Sequence, residues 1–458
     1  MAIATVNPYT GRIEQEFAPH DDAEIERRIA AAQTAFETLR DTTFTQRSEW
    51  MRAAAHLLEE DQEQLARIIT IEMGRPITGA RAEVLKCAKG LRFYAEHAEE
   101  FLAPEQLADP AVVGASRAGT VYAPIGVVLA VMPWNYPLWQ VLRFAGPALM
   151  AGNTGLLKHA SNVPQAALYL DTLFERAGFP AGAFAALLIP ASRVEPVLRD
   201  RRVKAATLTG SEPAGRSFAA VAGSEVKHVV LELGGSDPFI VMPSADIARA
   251  AATAVIARNQ NNGQSCIAAK RFIVHSDVHD EFVRLFAEGV SGLTVGDPLD
   301  ESTDIGPIAT ESGRDELASQ VADAVANGAT VLAGGTAPDR PGWFFEPTVL
   351  AGVTSEMRLH LEEAFGPVAT VYRVDSREEA ARIANGTTFG LSSAVWTSDP
   401  EEEDWFVRHL DAGAVFVNGM TASYPELPFG GVKDSGVGRE LAAAGIREFC
   451  NLKTVWRA

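Results

Sequence analysis

Cys266 closes the stretch Asn261-Asn262-Gly263-Gln264-Ser265-Cys266. Small and amide-bearing residues precede the thiol, at the end of an expected helix, which suits a reactive sulfur held in a tight polar turn. A free thiol has a pKa near ~8.5, so only a few per cent is thiolate at neutral pH and a nucleophilic role needs activation. Upstream, Leu231-Glu232-Leu233-Gly234-Gly235 puts a carboxylate at a strand end beside two glycines, which let backbone approach whatever fills a cleft there. Glu232 can draw a proton from water or from the thiol. Taken singly, the two residues read equally well as a buried structural cysteine and an ion-paired or solvated glutamate.

Other segments supply donors and walls. In Pro133-Trp134-Asn135-Tyr136-Pro137-Leu138-Trp139-Gln140-Val141-Leu142-Arg143, Asn135 lies between a strand and a helix, where a neutral amide can donate to a developing oxyanion. Losing such a donor costs ~10²–10³ in rate. With the helix beginning near Pro137, Trp139 and Arg143 fall one turn apart on one face. An aromatic wall with a guanidinium below it suits a short acyl chain ending in a carboxylate. A surface or interdomain ion pair is an equal reading for Arg143. Gly155-Leu156-Leu157-Lys158-His159-Ala160-Ser161 ends a strand with a cation and a hydroxyl, where a doubly wound sheet binds its ligands.

Leu208-Thr209-Gly210-Ser211-Glu212-Pro213-Ala214-Gly215 follows a strand and opens a helix whose first amides can take a phosphate. It is not a G-x-G-x-x-G fingerprint, and a capped turn is its plainer reading. Glu363, in Glu362-Glu363-Ala364-Phe365-Gly366-Pro367, can hold ribose hydroxyls. The glycine-dense run 428–440 reads as a tight loop before a helix.

The elements that must position these residues follow from apolar spacing. Residues 21–40, 44–73 and 80–102 read as helices, and 109–123 as an extended ribbon. Strands at 127–132, 154–158, 184–189, 205–209 and 228–233 then alternate with helices at 138–151, 164–177, 194–199 and 213–222. A second alternating set has strands at 239–242, 271–275, 330–332, 368–374, 392–397 and 414–418, with helices at 247–261, 279–289, 312–327, 378–385 and 401–410. Short apolar strands between amphipathic helices predict an α/β fold with parallel sheets covered on both faces. Gly234-Gly235 is the natural hinge between the two sets.

Composition narrows the function. The 458 residues suit two or three domains, and 47% hydrophobic with 22% charged residues is globular usage. A formal net charge of −19 repels nucleic acid and anionic membranes, so neither is expected as a partner. Three cysteines without a CxxC pair argue against a disulfide framework or a metal cluster and for a reducing compartment; with no signal-like N-terminus, the expected location is cytoplasmic.

Taken together the segments resemble the aldehyde dehydrogenase superfamily over essentially the whole chain. Seven motifs fall in the same order: the Pro-Trp-Asn turn, the lysine strand, the Thr-Gly-Ser loop, Glu-Leu-Gly-Gly, Gly-Gln-x-Cys, Glu-x-Phe-Gly-Pro and Pro-Phe-Gly-Gly-x-Lys. The resemblance implies two doubly wound domains plus a small β oligomerisation element. It assigns 1–108 and 125–234 to cofactor binding, 235–434 to catalysis, 109–124 and 450–458 to the oligomerisation element, and 435–449 to a return segment. A homodimer or homotetramer is expected. It further implies Cys266 as nucleophile, Asn135 with the Cys266 backbone N–H as oxyanion donors, and Glu232 as the base that hydrolyses a thioester. Trp134, Lys158, Ser161, Thr209, Gly210, Ser211, Gly215, Leu233, Gly234, Glu363 and Phe365 would bind the dinucleotide.

At the position of Ser161, NAD-preferring relatives often carry a glutamate that repels a 2′-phosphate. A serine there, with Lys158 adding charge, points to NADP, with NAD possible. Within the superfamily the detailed sequence looks like the shorter succinate-semialdehyde dehydrogenases. Longer relatives place an arginine where this chain has Gln260, so the substrate carboxylate is expected to meet Arg143 and Ser423 beside Trp139. Glutarate semialdehyde or another short aliphatic aldehyde is the alternative substrate. Ala268 replaces the second cysteine of some relatives, so no intramolecular disulfide switch is expected. A cysteine hydrolase would need a histidine base, and a non-enzymatic scaffold would not need Cys266, Glu232 and Asn135 together.

Overall fold

A computed structural model describes residues 2–458. The first alternating set builds a six-stranded sheet in the order Gly436–Val437, His228–Glu232, Val203–Thr209, Val127–Met132, Thr154–His159, Phe184–Ala186. Its strands run parallel except Gly436–Val437, which returns from the far end of the chain and pairs antiparallel with His228–Glu232. Val127–Met132 is central because its residues are apolar on both faces. Val128, Ala130 and Met132 pack toward the helices Phe44–Glu60, Ile77–Phe101 and Trp139–Ala151. Val127 and Leu129 pack toward Asp22–Leu39 and Glu212–Ser224. Strand order reverses at Val127–Met132, so a crevice opens beyond its C-terminal end, between residues 133–135 and 209–211.

The second set builds a seven-stranded sheet in the order Thr330–Ala333, Thr348–Ala351, Val368–Val374, Ala269–His275, Asp237–Val241, Ser393–Trp396, Val415–Val417. Its antiparallel edge pair includes Thr348–Ala351, a strand that the alternation of the sequence does not reveal. Gly234-Gly235 joins the two sheets. A Cβ on Gly235 would lie 2.5 Å from the Cys266 carbonyl oxygen, so only glycine lets the hinge touch the nucleophile loop.

The ribbon Arg117–Pro124 pairs antiparallel with the terminal strand Cys450–Arg457 along its full length, and with Glu105–Gln106 on its other side. Leu452 and Trp456 on this element are exposed.

Three sequence expectations need correction. Before residue 21, where the apolar spacing predicts no element, Ile3–Asn7 and Arg12–Phe17 form a hairpin, so the N-terminal part is not helical throughout. Its Ala4 N–H donates to the Ser161 carbonyl at 3.0 Å and braces that loop. The helix expected over 44–73 divides into Phe44–Glu60 and Gln62–Met73 at Asp61, whose carboxylate is held by Tyr169 and Arg176 instead of capping either helix. The strand expected over 184–189 stops at Ala186. Among the described residues no helix is long and apolar enough to cross a membrane.

Candidate active site

The nucleophile loop is built by three consecutive left-handed residues. The helix Ile247–Asn259 ends earlier than the expected 261, and Asn261 (φ 56°), Asn262 (φ 56°) and Gly263 (φ 70°) turn the chain sharply. Asparagine tolerates this region because its side chain can bond locally. Asn262 Nδ2 donates to the Gly74 and Pro307 carbonyls at 2.9 and 3.0 Å, and its Oδ1 accepts from Gly306 N–H at 2.8 Å. Asn261 Nδ2 donates to the Asn135 carbonyl at 2.8 Å and so ties the two catalytic loops together.

Beneath the turn, Arg258 is fully buried and donates to the Gly263, Gly366 and Ala269 carbonyls. Lys270 Nζ donates to the Cys266 and Ser265 carbonyls at 2.6 and 2.9 Å. The loop is thus fixed by buried charge on both sides.

Burial pushes the Cys266 thiol up to about 12; the nearby cations Arg143 and Lys270 pull it down, and Glu363 and Glu232 push it up. The thiol is therefore protonated at neutral pH, yet it feels the charge of Glu232. Glu232 ends the strand His228–Glu232 and is buried, with neither carboxylate oxygen hydrogen-bonded. Burial first, then Glu440, hold its carboxyl well above the usual range. Asn135 is buried, and one amide N–H reaches the Gln264 carbonyl at 3.3 Å, leaving the other for an oxyanion. Thiol, carboxyl and amide are the parts of an acyl-transfer site. His159 is not a base here: its Nδ1 accepts from Ala160 N–H, Nε2 bonds the Pro137 carbonyl at 2.9 Å, and burial depresses it to about 4.

A cleft of about 390 Å³ opens onto Cys266 and Asn135 at the strand-order reversal. Trp134 and Phe365 form one wall, with rings edge to face at 5.6 Å. Thr209, Gly210, Ser211, Leu233, Gly234 and Glu363 form the rest. Gly215 supports it from behind: a Cβ there would strike the Leu233 side chain at 2.5 Å. Lys158 is buried and has no carboxylate partner among the described residues, while Ser161 lies on the loop that follows it. Glu363 is not a free carboxylate; it pairs with Lys270 at 3.0 Å. Beyond Thr209 a second groove of about 310 Å³ runs between Val194–Arg199 and Glu212–Ser224, lined by Val131, Leu198, Leu208 and Phe218. Apolar residues at ordinary core spacing gave no sign of it in the sequence.

The side chains of the expected substrate wall, Trp139 and Arg143, have different partners. Arg143 is buried, ion-paired with Glu440, within 3.3 Å of Thr209 Oγ1, and stacked over the Phe429 ring. A buried carboxylate needs a countercharge, and Glu440 takes this one. The cation over the Trp139 ring is Lys86, with Nζ 4.3 Å from the ring centroid. Ser423 does join Trp139, accepting from its Nε1 at 2.9 Å. Lys86, Glu440 and Glu83, whose carboxylate caps the helix at Leu138 and Trp139 N–H, are absent from the sequence reading because each acts across long chain separations.

Among the described residues no cluster of His, Cys, Asp and Glu forms a metal site, and all three cysteines are free thiols.

The sequence pattern of the aldehyde dehydrogenase family matches residues 1–455. The chain is 61% identical over 457 residues to a succinate-semialdehyde dehydrogenase [NADP(+)] of Mycobacterium avium (strain 104), covering 100% of this chain and 97% of that one. It is 60% identical over 458 residues to succinate-semialdehyde dehydrogenase [NADP(+)] 1 of Mycobacterium tuberculosis (strain ATCC 25618 / H37Rv), covering 100% of both. Among solved structures it superposes with a TM-score of 0.96 on succinic semialdehyde dehydrogenase from Streptococcus pyogenes in complex with NADP+, at 35% identity over 99% of each chain. Betaine aldehyde dehydrogenase from Staphylococcus aureus in complex with NAD+ gives 0.94 at 31% identity, over 99% of this chain and 90% of that one. The order of the motifs, the doubly wound sheets and these full-length similarities agree: the chain belongs to the aldehyde dehydrogenase family.

Proposed function

We propose that the chain oxidises succinate semialdehyde to succinate with NADP+, through a thioester on Cys266. The observation that carries the reading is 60–61% identity, along the whole chain, to two succinate-semialdehyde dehydrogenases [NADP(+)]. The site supports the chemistry. Cys266 gives its proton to water in the open cleft and its sulfur bonds to the aldehyde carbon, while the carbonyl electrons move onto oxygen. The free Asn135 N–H and the Cys266 backbone N–H hold that oxyanion. When bound, the oxidised nicotinamide supplies the acceptor for the hydride that leaves the thiohemiacetal, which becomes the thioester. Glu232, a stronger base for its raised pKa, takes a proton from water; the hydroxide adds to the acyl carbon and the carbon–sulfur bond breaks. Lys158 and Ser161 suit a 2′-phosphate, because a buried cation without a carboxylate partner among the described residues, followed three residues on by a hydroxyl, suits an anion. The exposed terminal strand supports a homo-oligomer.

The test is kcat/KM for semialdehydes of increasing length and for butyraldehyde, with both nicotinamides. Succinate semialdehyde with NADP+ is expected to be turned over most efficiently. Equal efficiency with butyraldehyde, or greater efficiency with NAD+, overturns the reading. Ser161→Glu is expected to lower kcat/KM for NADP+ on the order of 10²-fold while sparing NAD+, since a carboxylate replaces a donor beside the phosphate. A parallel loss for both cofactors would remove Ser161 from that role.

A further inference from the structure

Acyl transfer needs two loops held at a fixed separation: the turn that carries Cys266 and the turn that carries Asn135. They belong to different sheets. Asn261 joins them directly. A second connection runs outside the cleft, through residues 74–76, which link the helices Gln62–Met73 and Ile77–Phe101.

One end of this link grips the nucleophile turn. Gly74 has φ 76° and lies so close to Pro307 that a Cβ would come within 2.8 Å of its side chain and its carbonyl. The Gly74 and Pro307 carbonyls both accept from Asn262 Nδ2, at 2.9 and 3.0 Å. Ile77 N–H donates to the Pro298 carbonyl at 2.8 Å, which seats the link on the same catalytic segment.

The other end grips the oxyanion turn. The Arg75 guanidinium lies over the ring of Tyr136, the residue after Asn135, 4.7 Å from its centroid. Arg75 also pairs with Glu83, whose side chain is wholly buried. Glu83 divides its carboxylate: Oε2 takes the guanidinium, and Oε1 accepts from Leu138 and Trp139 N–H at 2.9 and 3.0 Å. The helix Trp139–Ala151 has no side-chain cap of its own, so its first amides depend on this distant carboxylate.

We infer that Glu83 and Arg75 are positioning residues, which hold the Asn135 amide at the oxyanion while Asn262 holds the Cys266 turn from the same link. The inference rests on the reading of Asn135 as an oxyanion donor. Neither Glu83 nor Arg75 lines the cleft, so they act through the turn they hold. The Asn135 amide is otherwise tethered only at 3.3 Å, to the Gln264 carbonyl. A displacement of about 1 Å at a reacting centre costs on the order of 10²-fold in rate. The brace therefore governs the chemical step, at the carbonyl common to every aldehyde, and leaves cofactor affinity alone.

The test is a double-mutant cycle in the full-length protein, read as the single-turnover rate of NADPH formation with enzyme in excess over aldehyde and NADP+ saturating. Asn135→Ala alone is expected to lower the rate about 10²–10³-fold. A glutamine at position 83 has one acceptor oxygen and can hold the helix amides or the guanidinium, not both. Glu83→Gln is therefore expected to lower the rate about 30-fold, equally for succinate semialdehyde and butyraldehyde. In the Asn135→Ala background the same substitution should cost less than about threefold, because the amide it positions is gone. Arg75→Met removes the other half of the pair and is expected to follow the same pattern, so it decides the matter where Glu83→Gln fails to fold. The Kd for NADP+, from quenching of tryptophan fluorescence, should stay within about twofold of wild type in each variant. Losses as large in the Asn135→Ala background as in wild type would mean general damage and overturn the proposal. So would a Kd raised in step with the loss of rate, or single variants that both keep their rate within about threefold of wild type. Should Asn135→Ala itself leave the rate unchanged, the oxyanion reading fails first and the brace with it.

Discussion

Glu232→Gln is expected to stop turnover while sparing the first oxidation. The thioester forms on Cys266 whether or not residue 232 can accept a proton from water, so one equivalent of NADPH appears in a burst. Steady-state kcat then falls on the order of 10²–10⁴, the usual contribution of a positioned base. Burial drives the expectation. Both carboxylate oxygens of Glu232 lack partners, and His159 is no substitute for it: burial depresses the ring to about 4, against the pull of the Pro137 and Met132 carbonyls, and both ring nitrogens are already hydrogen-bonded. Stopped-flow absorbance of NADPH measures burst and steady state together. Loss of the burst along with turnover would instead make Glu232 the group that deprotonates the thiol.

Arg143→Met is expected to cost about 3–5 kcal/mol in stability, because it leaves Glu440 buried without its counterion. Replacing both partners, Arg143→Met with Glu440→Met, should recover most of that loss, since two apolar side chains of similar volume satisfy each other. Urea unfolding of the single and double variants measures this. Activity should fall for succinate semialdehyde and butyraldehyde alike, because Arg143 also helps to lower the Cys266 pKa. A selective rise in KM for the acid would show the guanidinium leaving Glu440 for the substrate carboxylate.

The contrast between Arg143 and Cys266 marks where the sequence stops being informative. Cys266, Glu232 and Asn135 lie in short runs whose glycines and amides make the local turn, so their surroundings can be read from their neighbours. The helix ending before Cys266 was overextended because Asn261 and Asn262 are compatible with a helix, and only their side-chain bonds to Asn135, Gly74 and Pro307 reveal the left-handed turn. The alternating strands were legible because a sheet buried on both faces needs continuous apolar runs. The hairpin strand Arg12–Phe17 is not, because half of its residues are charged and nearly all are exposed.

The orientation of Arg143 depends on Glu440, and the place of Lys86 over the Trp139 ring depends on Ser423. In both cases the partner is brought in by the chain segment that closes over the site, and helical spacing on one element cannot say which of two acids a guanidinium meets.

The claim beneath all of this is a covalent acyl group on the sulfur of Cys266. Quenching Glu232→Gln with acid during its burst, in the presence of succinate semialdehyde and NADP+, then digesting it and mapping the peptides by mass spectrometry, tests that claim directly. The account predicts a succinyl group on the peptide bearing Cys266 and none on those bearing Cys87 or Cys450. An unmodified Cys266 in a sample that has already released its equivalent of NADPH would contradict it.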